Sequence, residues 1–174
     1  MSVGNYSKFQ QRLTPHANYV RHRDFPGHDI AVWGAFHGLG DLYSDQGKLR
    51  EVEEMYQRAL VGKEKAIGPN HTSTLYTVHN LGALYSDQGK LKEAEEMFHQ
   101  ALAGREKALG PDHMSTLNTV NSLGNLYRDQ GKRQEAEEMY QRALAGYEKA
   151  LGPDHSRTRR PVDRLNALRI ADVK

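Results

Sequence analysis

Leu81-Gly82-Ala83-Leu84-Tyr85-Ser86-Asp87-Gln88-Gly89-Lys90 decides the fold, because the chain repeats its pattern three times. Leu39–Tyr43 leads into Asp45-Gln46-Gly47-Lys48, and Leu123–Tyr127 leads into Asp129-Gln130-Gly131-Lys132. The copies start at positions 39, 81 and 123, a constant offset of 42. A fixed period of this size marks a solenoid. Each unit is one supersecondary element that cannot bury its apolar face alone, and stacking makes the core continuous.

The unit that begins at His71 is the clearest. Leu75, Val78, Leu81, Leu84 and Tyr85 recur three and four apart and predict a helix over Thr72–Gln88. Ser73 and Thr74 offer hydroxyls for its N-cap, and Gly89 stands where a left-handed C-terminal residue is expected. Leu91, Ala94, Met97, Phe98, Ala101, Leu102, Ala108 and Leu109 predict a second helix over Lys90–Leu109 with one buried stripe. Gly110-Pro111 ends it. Glu54 with Arg58, and Glu138 with Arg142, stand four apart with the acid first, which favours exposed pairs along a helix. Gly40, Gly82 and Gly124 fall inside the first helix of each unit, where each costs up to ~1 kcal/mol against alanine. The expected return is close approach of the second helix at its small residues Val52, Ala94 and Ala136. Gly62, Gly104 and Gly146 fall inside the second helix and mark either a bend or tight packing of the next unit.

The ends depart from the pattern. Ser7–Leu13 and Pro15–Arg23 predict short helices, stopped by Phe25-Pro26-Gly27, and residues 1–28 form a degenerate capping segment. After Gly152-Pro153-Asp154-His155, Val162, Leu165 and Leu168 hold the places of Val120, Leu123 and Leu126, but Pro161 interrupts. A lone helix with a polar outer side, over residues 156–174, is expected to close the stack. The full units lie at 29–71, 72–113 and 114–155.

Composition narrows the function. The chain has no cysteine, which excludes disulfides, cysteine-ligated zinc and thiol catalysis and fits a reducing, cytoplasmic setting. No run of 18 apolar residues is present and the N-terminus shows no apolar signal region, so neither membrane insertion nor secretion is expected. The net charge of +2 hides basic ends on an acidic middle: residues 157–174 carry six basic side chains against two acids. Such ends either steer an acidic partner or are simply solvated.

Leu-Gly-x-Leu-Tyr in the first helix, with Ala94, Phe98 and Ala101 in the second, resembles the tetratricopeptide repeat. The 42-residue spacing and the Gly-Pro-Asp-His loop are similar to the repeats of kinesin light chains. They are more similar still to the C-terminal arrays of fungal NLR-like (STAND) NTPases, and Arg12-Leu13-Thr14-Pro15-His16 looks like the segment that precedes such arrays. The resemblance implies an all-α, right-handed α-solenoid of antiparallel helix pairs. The chain has no Gly-x-x-x-x-Gly-Lys-Ser/Thr loop and so holds no NTPase of its own.

Catalysis and metal binding find no support. His71, His113 and His155 recur once per unit, and stacked helices about 8–10 Å apart cannot share one ion through bonds of about 2 Å. They are expected to serve as loop or capping residues, with no metal and no cofactor. Glu53-Glu54, Glu95-Glu96 and Glu137-Glu138 also recur per unit and belong to a solvated face, unlike the single constellation of an active site.

The resemblance places the first helices on a concave groove. There the chain would present His37 and Asp41, then Tyr76 and His79, then Asn118, Asn121, Asn125 and Arg128. This set is polar and mildly acidic, which argues against nucleic acid. The copies differ at these positions while the buried positions barely change, as a binding surface on a fixed frame requires. Asparagine carries both donors and acceptors, so Asn121 and Asn125 could hold an extended peptide backbone. The expected function is non-catalytic binding of a protein or peptide segment, by a monomer or a weak end-to-end oligomer. The alternative is a regulatory or oligomerisation arm of a larger STAND-type signalling NTPase, with no peptide ligand.

Overall fold

The structure, a computed structural model, describes residues 30–170. These form seven helices and no strand: α1 (Ile30–Asp45), α2 (Leu49–Ile67), α3 (Thr72–Asp87), α4 (Leu91–Leu109), α5 (Met114–Asp129), α6 (Arg133–Leu151) and α7 (Ser156–Ile170). The expected N-terminal cap at 1–28, with its short helices, lies outside the described residues. None of the described helices is long and apolar enough to cross a membrane. The chain divides into two compact units, Met1–Pro69 and Asn70–Lys174. α1 packs on α2 in the first; in the second, α3 packs on α4, α5 on α6 and α7 on α6.

The Asp-Gln-Gly-Lys stretch is a stop signal. Gly47, Gly89 and Gly131 take φ of 68°, 74° and 76°, a region that only glycine enters without strain. At Gly89 the N–H of Lys90 bonds the Tyr85 carbonyl (2.8 Å) and the glycine N–H bonds that of Ser86 (3.0 Å). The same two bonds form at Gly47 and Gly131, which makes each turn a Schellman motif. At the N-termini of α3, α5 and α7 the histidines cap, as one of their expected roles, and the Ser73 and Thr74 hydroxyls do not. The caps are the imidazoles of His71, His113 and His155, whose Nδ1 atoms accept from the N–H groups of Ser73, Ser115 and Arg157 at 3.1 Å. Ser73 and Thr74 lie inside α3, and the buried Thr116 and Thr158 hydroxyls instead donate back to the Gly110 and Gly152 carbonyls, both at 2.8 Å.

The mid-helix glycines answer to large side chains rather than small ones. A Cβ on Gly40, Gly82 or Gly124 would lie within 3 Å of the ring of Tyr56, Phe98 or Tyr140 on the second helix of the same pair. The small residues Val52, Ala94 and Ala136 are buried but are not what those glycines admit. Gly62, Gly104 and Gly146 have a packing reason within their own pair. They accept Trp33, Leu75 and Leu117 from the first helix of their own pair. Each pair is therefore locked by two reciprocal insertions, an aromatic ring one way and an apolar side chain the other.

In the second unit the core runs from Ala94, Phe98 and Leu102 through Leu117, Val120, Leu123 and Leu126 to Ala136, Tyr140, Ala143, Tyr147 and Leu165. Tyr85 and Met97 are only half-buried, and Ala108 is exposed. The expected Glu138–Arg142 pair is replaced by one between Arg142 and Glu106 of the preceding helix pair. Glu95 is not simply solvated either. It accepts from Gln130 Nε2 and Lys132 Nζ, each at 2.9 Å, and Gln130 also donates to the Leu91 carbonyl. Burial acts to raise the Glu95 carboxyl, but these bonds outweigh it and hold it below the usual range. The repeated Gln and Lys of the stop signal thus tie the third helix pair to the second.

α7 continues through Pro161 without a break. Pro161 occupies the buried position of Thr119, one pair earlier, and Val162 turns outward at 37% exposed, unlike the fully buried Val120. Leu165 is buried and Leu168 packs against the same cluster, so the closing helix keeps two of its three expected anchors.

Candidate functional site

The candidate residues sit on the first helix of each pair. In the first unit, α1 carries His37 and Asp41 one turn apart. His37 is buried and its ring stacks on Tyr56 with centroids 4.9 Å apart. The Tyr56 hydroxyl donates to Asp41, whose carboxylate lies 3.6 Å from His37. Burial pushes the His37 imidazole down to about 4, with Asp41 opposing and Lys63 adding to it. Of the two candidates only Asp41 is exposed.

In the second unit Tyr76 on α3 is 48% exposed. One turn on, the His79 ring packs beside Phe98 at 5.3 Å between centroids, and Nδ1 lies 3.4 Å from Thr119 Oγ1. Burial, then the nearby Arg105 guanidinium, pushes the His79 imidazole down to about 3. Arg105 is itself buried and donates to the Ser115 carbonyl at 2.8 Å and to Thr119 Oγ1 at 2.6 Å. Sequence reasoning missed this residue because it took charged side chains as solvated. The signal was positional: Lys63, Arg105 and Tyr147 each follow a second-helix glycine, and all three are buried.

Asn118, Asn121 and Asn125 lie three and four apart on α5, so they share one face. Each oxygen is already taken. Asn118 Oδ1 accepts from the Tyr147 hydroxyl (2.7 Å), Asn121 Oδ1 from Arg164 Nη1 (2.6 Å) and Asn125 Oδ1 from the Tyr140 hydroxyl (2.8 Å). The sequence offered each amide as donor and acceptor together; the fold commits one acceptor site of each to the protein itself. Arg128, exposed at the end of α5, is paired through two nitrogens with Asp129 at 2.9 and 2.7 Å.

A cavity of about 280 Å³ opens where α3, α5, α6 and α7 meet. His79, Asn118, Asn121 and Ser122 line one side, and Tyr147, Arg157 and Arg160 the other. The structure thus gathers three of the expected groove residues with two arginines of the basic C-terminal end. Tyr76, Asn125 and Arg128 lie outside that lining.

Desolvation of the buried His37 and the half-buried His79 gives the stability a pH dependence. An unfolded histidine protonates near 6.5, well above the folded values for His37 and His79. Above pH 6.5 both states are neutral and the contribution is full. As pH falls from 6.5 toward about 4 for His37 and about 3 for His79, only the unfolded chain gains the proton. Stability then drops by up to about 1.4 kcal/mol per pH unit for each imidazole. The urea midpoint is expected to fall between pH 7 and 4.5, with a shallower slope in His79→Gln. An unchanged slope would remove His79 from this account.

The sequence pattern of the tetratricopeptide repeat matches residues 34–107, 74–149 and 115–160. Over 63 residues the chain is 40% identical to a nucleotide-binding leucine-rich repeat (NLR)-like protein of Hyaloscypha variabilis, a stretch that takes in 35% of this chain and 6% of that protein. The structure resembles a point-variant form of the kinesin light chain-like, nearly identical TPR-like repeats of Podosopora anserina, with a TM-score of 0.75 at 26% identity over 85% of this chain and 69% of that one. BtubC from P. vanneervenii shares the fold, with a TM-score of 0.69 at 20% identity over 97% of this chain and 74% of its own. Three overlapping matches run across helix pairs locked by the same glycines and closed by the same turn, and on that ground the chain belongs to the tetratricopeptide repeat family, whose fold is a scaffold for protein–protein interaction.

Proposed function

We propose that the chain binds an extended segment of a partner protein, without catalysis, along the first helices of the second unit. The observation that carries this reading is the row of asparagines on α5. With their oxygens held by Tyr147, Arg164 and Tyr140, Asn118, Asn121 and Asn125 turn amide donors toward a ligand. An extended peptide has carbonyl acceptors at regular intervals and needs such donors. Tyr76, half in solvent on α3, offers an apolar face with a polar tip to a neighbouring side chain.

Asn→Ala would strip the acceptors from Tyr140 and Arg164 and confuse folding with binding. Asn121→Asp with Asn125→Asp keeps each acceptor and removes each donor. Peptides selected from a random display library against the wild-type chain are expected to bind this double variant at least about tenfold more weakly, since two hydrogen bonds of about 1 kcal/mol each are lost. Equal affinity, measured by fluorescence polarisation in a variant with an unchanged melting point, would place the interaction elsewhere.

The identity to an NLR-like protein favours a second reading, in which the array is a regulatory or oligomerisation arm of a larger STAND-type NTPase. Solution mass separates the two. A monomer that binds the selected peptides supports the first, and concentration-dependent association with no peptide affinity supports the second.

A further inference from the structure

The closing helix brings charge to the cavity in a way that the repeats do not. Arg160 stands one period after Asn118 and two after Tyr76, so a guanidinium takes the place of an amide and a phenol. Arg157 lies one turn before it on α7. Both line the cavity, and among the described residues neither side chain forms an ion pair. Their neighbour Arg159 is different: it lies outside the cavity lining and 4.0 Å from Asp154. Arg164 is engaged by Asn121 and by the face of the Tyr140 ring. Two guanidiniums with no ion pair among the described residues therefore face a cavity whose other walls supply neutral donors. These are the NH2 groups of Asn118 and Asn121 and the hydroxyl of Ser122.

Among the described residues, no anionic group lines the cavity. α3 contributes His79, which is neutral at physiological pH because burial and Arg105 hold its pKa far down. α5 contributes no titratable group to the lining, and α6 contributes Tyr147, a neutral phenol whose pKa burial raises further. The site is a cationic pocket with donors converging on it.

We propose that this pocket holds a phosphomonoester carried on a side chain of the bound partner segment. Charge decides between the acidic side chains available. A carboxylate carries one negative charge and would leave one guanidinium uncompensated, whereas a phosphomonoester carries about two at neutral pH and three acceptor oxygens. Arginine's planar fork suits such an oxyanion through paired N–H···O bonds. Size points the same way. About 280 Å³ lies at the low end of the roughly 300–1,000 Å³ of pockets that enclose drug-sized ligands, a size that suits a single head group. The source of the phosphate rests on the peptide-binding reading above; the pocket itself does not.

The test therefore starts with a probe that needs no groove. N-acetyl-O-phosphoserine N-methylamide is titrated into the full chain, labelled with ¹⁵N, at pH 7.5 and fixed ionic strength. The expected result is a saturable shift of the Asn118 and Asn121 side-chain amides and of the Arg157 and Arg160 Nε–H signals. Arg157→Gln with Arg160→Gln should weaken binding at least about tenfold, the loss of charge-assisted contacts. Arg159→Gln makes a comparable kind of charge change outside the cavity and should alter it less than about twofold. Capped glutamate should bind at least about fivefold more weakly than the phosphoserine probe. Moving to pH 5 should weaken the phosphoserine probe alone, because its second proton returns near pH 6. Equal binding of capped glutamate, equal loss in Arg159→Gln, or no saturable shift would overturn the pocket. A phosphoserine probe that binds as expected, with no phosphorylated peptide binding tighter than the probe, would uphold the pocket and overturn the peptide as its source.

Discussion

Leu123→Ala is expected to lower the free energy of unfolding by about 2–5 kcal/mol. Leu123 is fully buried within the cluster shared by α4, α5, α6 and α7. A repeat domain of this size has only about 5–15 kcal/mol to lose, so the change is a large fraction of the whole. Leu81, at the same position one unit earlier and equally buried, should respond alike. Tyr85→Ala should cost less than either, because that ring is only half-buried with the Lys90 ammonium 5.1 Å above its face. Urea unfolding followed by helical circular dichroism measures all three. An unmoved midpoint for Leu123→Ala would mean that the buried face of α5 has been assigned backwards.

Deleting residues 156–174 should have a comparable or larger effect, and should add aggregation. α7 buries Leu165, lays Leu168 on the core, and places Arg164 over Tyr140 while it holds Asn121. Leu165 alone accounts for about 2 kcal/mol of burial. Without the helix, Tyr147 and the flank of Tyr140 meet water along with Met139 and Leu144, and an apolar patch of that kind invites self-association. Leu151 is not part of this account: it is 36% exposed with α7 in place. A truncated chain that stays monomeric in sedimentation and melts with the full-length chain would show that α7 is not a lid.

The period of 42 and its three- and four-residue apolar spacing were enough for the helices and their pairing, and the resemblance of Leu-Gly-x-Leu-Tyr, with Ala94, Phe98 and Ala101, pointed to the family. These features are local or strictly repeated. A helix needs only its own periodicity, and Gly89 needs a left-handed φ because of where it stands in the chain. The reasons for the mid-helix glycines were not local. Gly124 and Gly146 each look like a defect in their own helix, and only the facing helix shows that Tyr140 and Leu117 fill the space.

The candidate site divides along the same line. Sequence placed Asn118, Asn121 and Asn125 on one face, since spacing along a helix fixes that. It could not say which end of each amide the protein itself engages, because the partners are Tyr147, Arg164 and Tyr140 on two other helices. It read His37 and His79 as groove residues, but their burial depends on Tyr56 and Phe98 across the pair. It counted Arg157 and Arg160 as a basic end, and only the docking of α7 beside α5 and α6 turns them into the wall of a pocket. The sequence by itself determined what repeats, since a repeat is a relation along the chain. The tertiary structure decided which polar atoms are already paired and where charge stays uncompensated, since those are relations between helices distant in sequence.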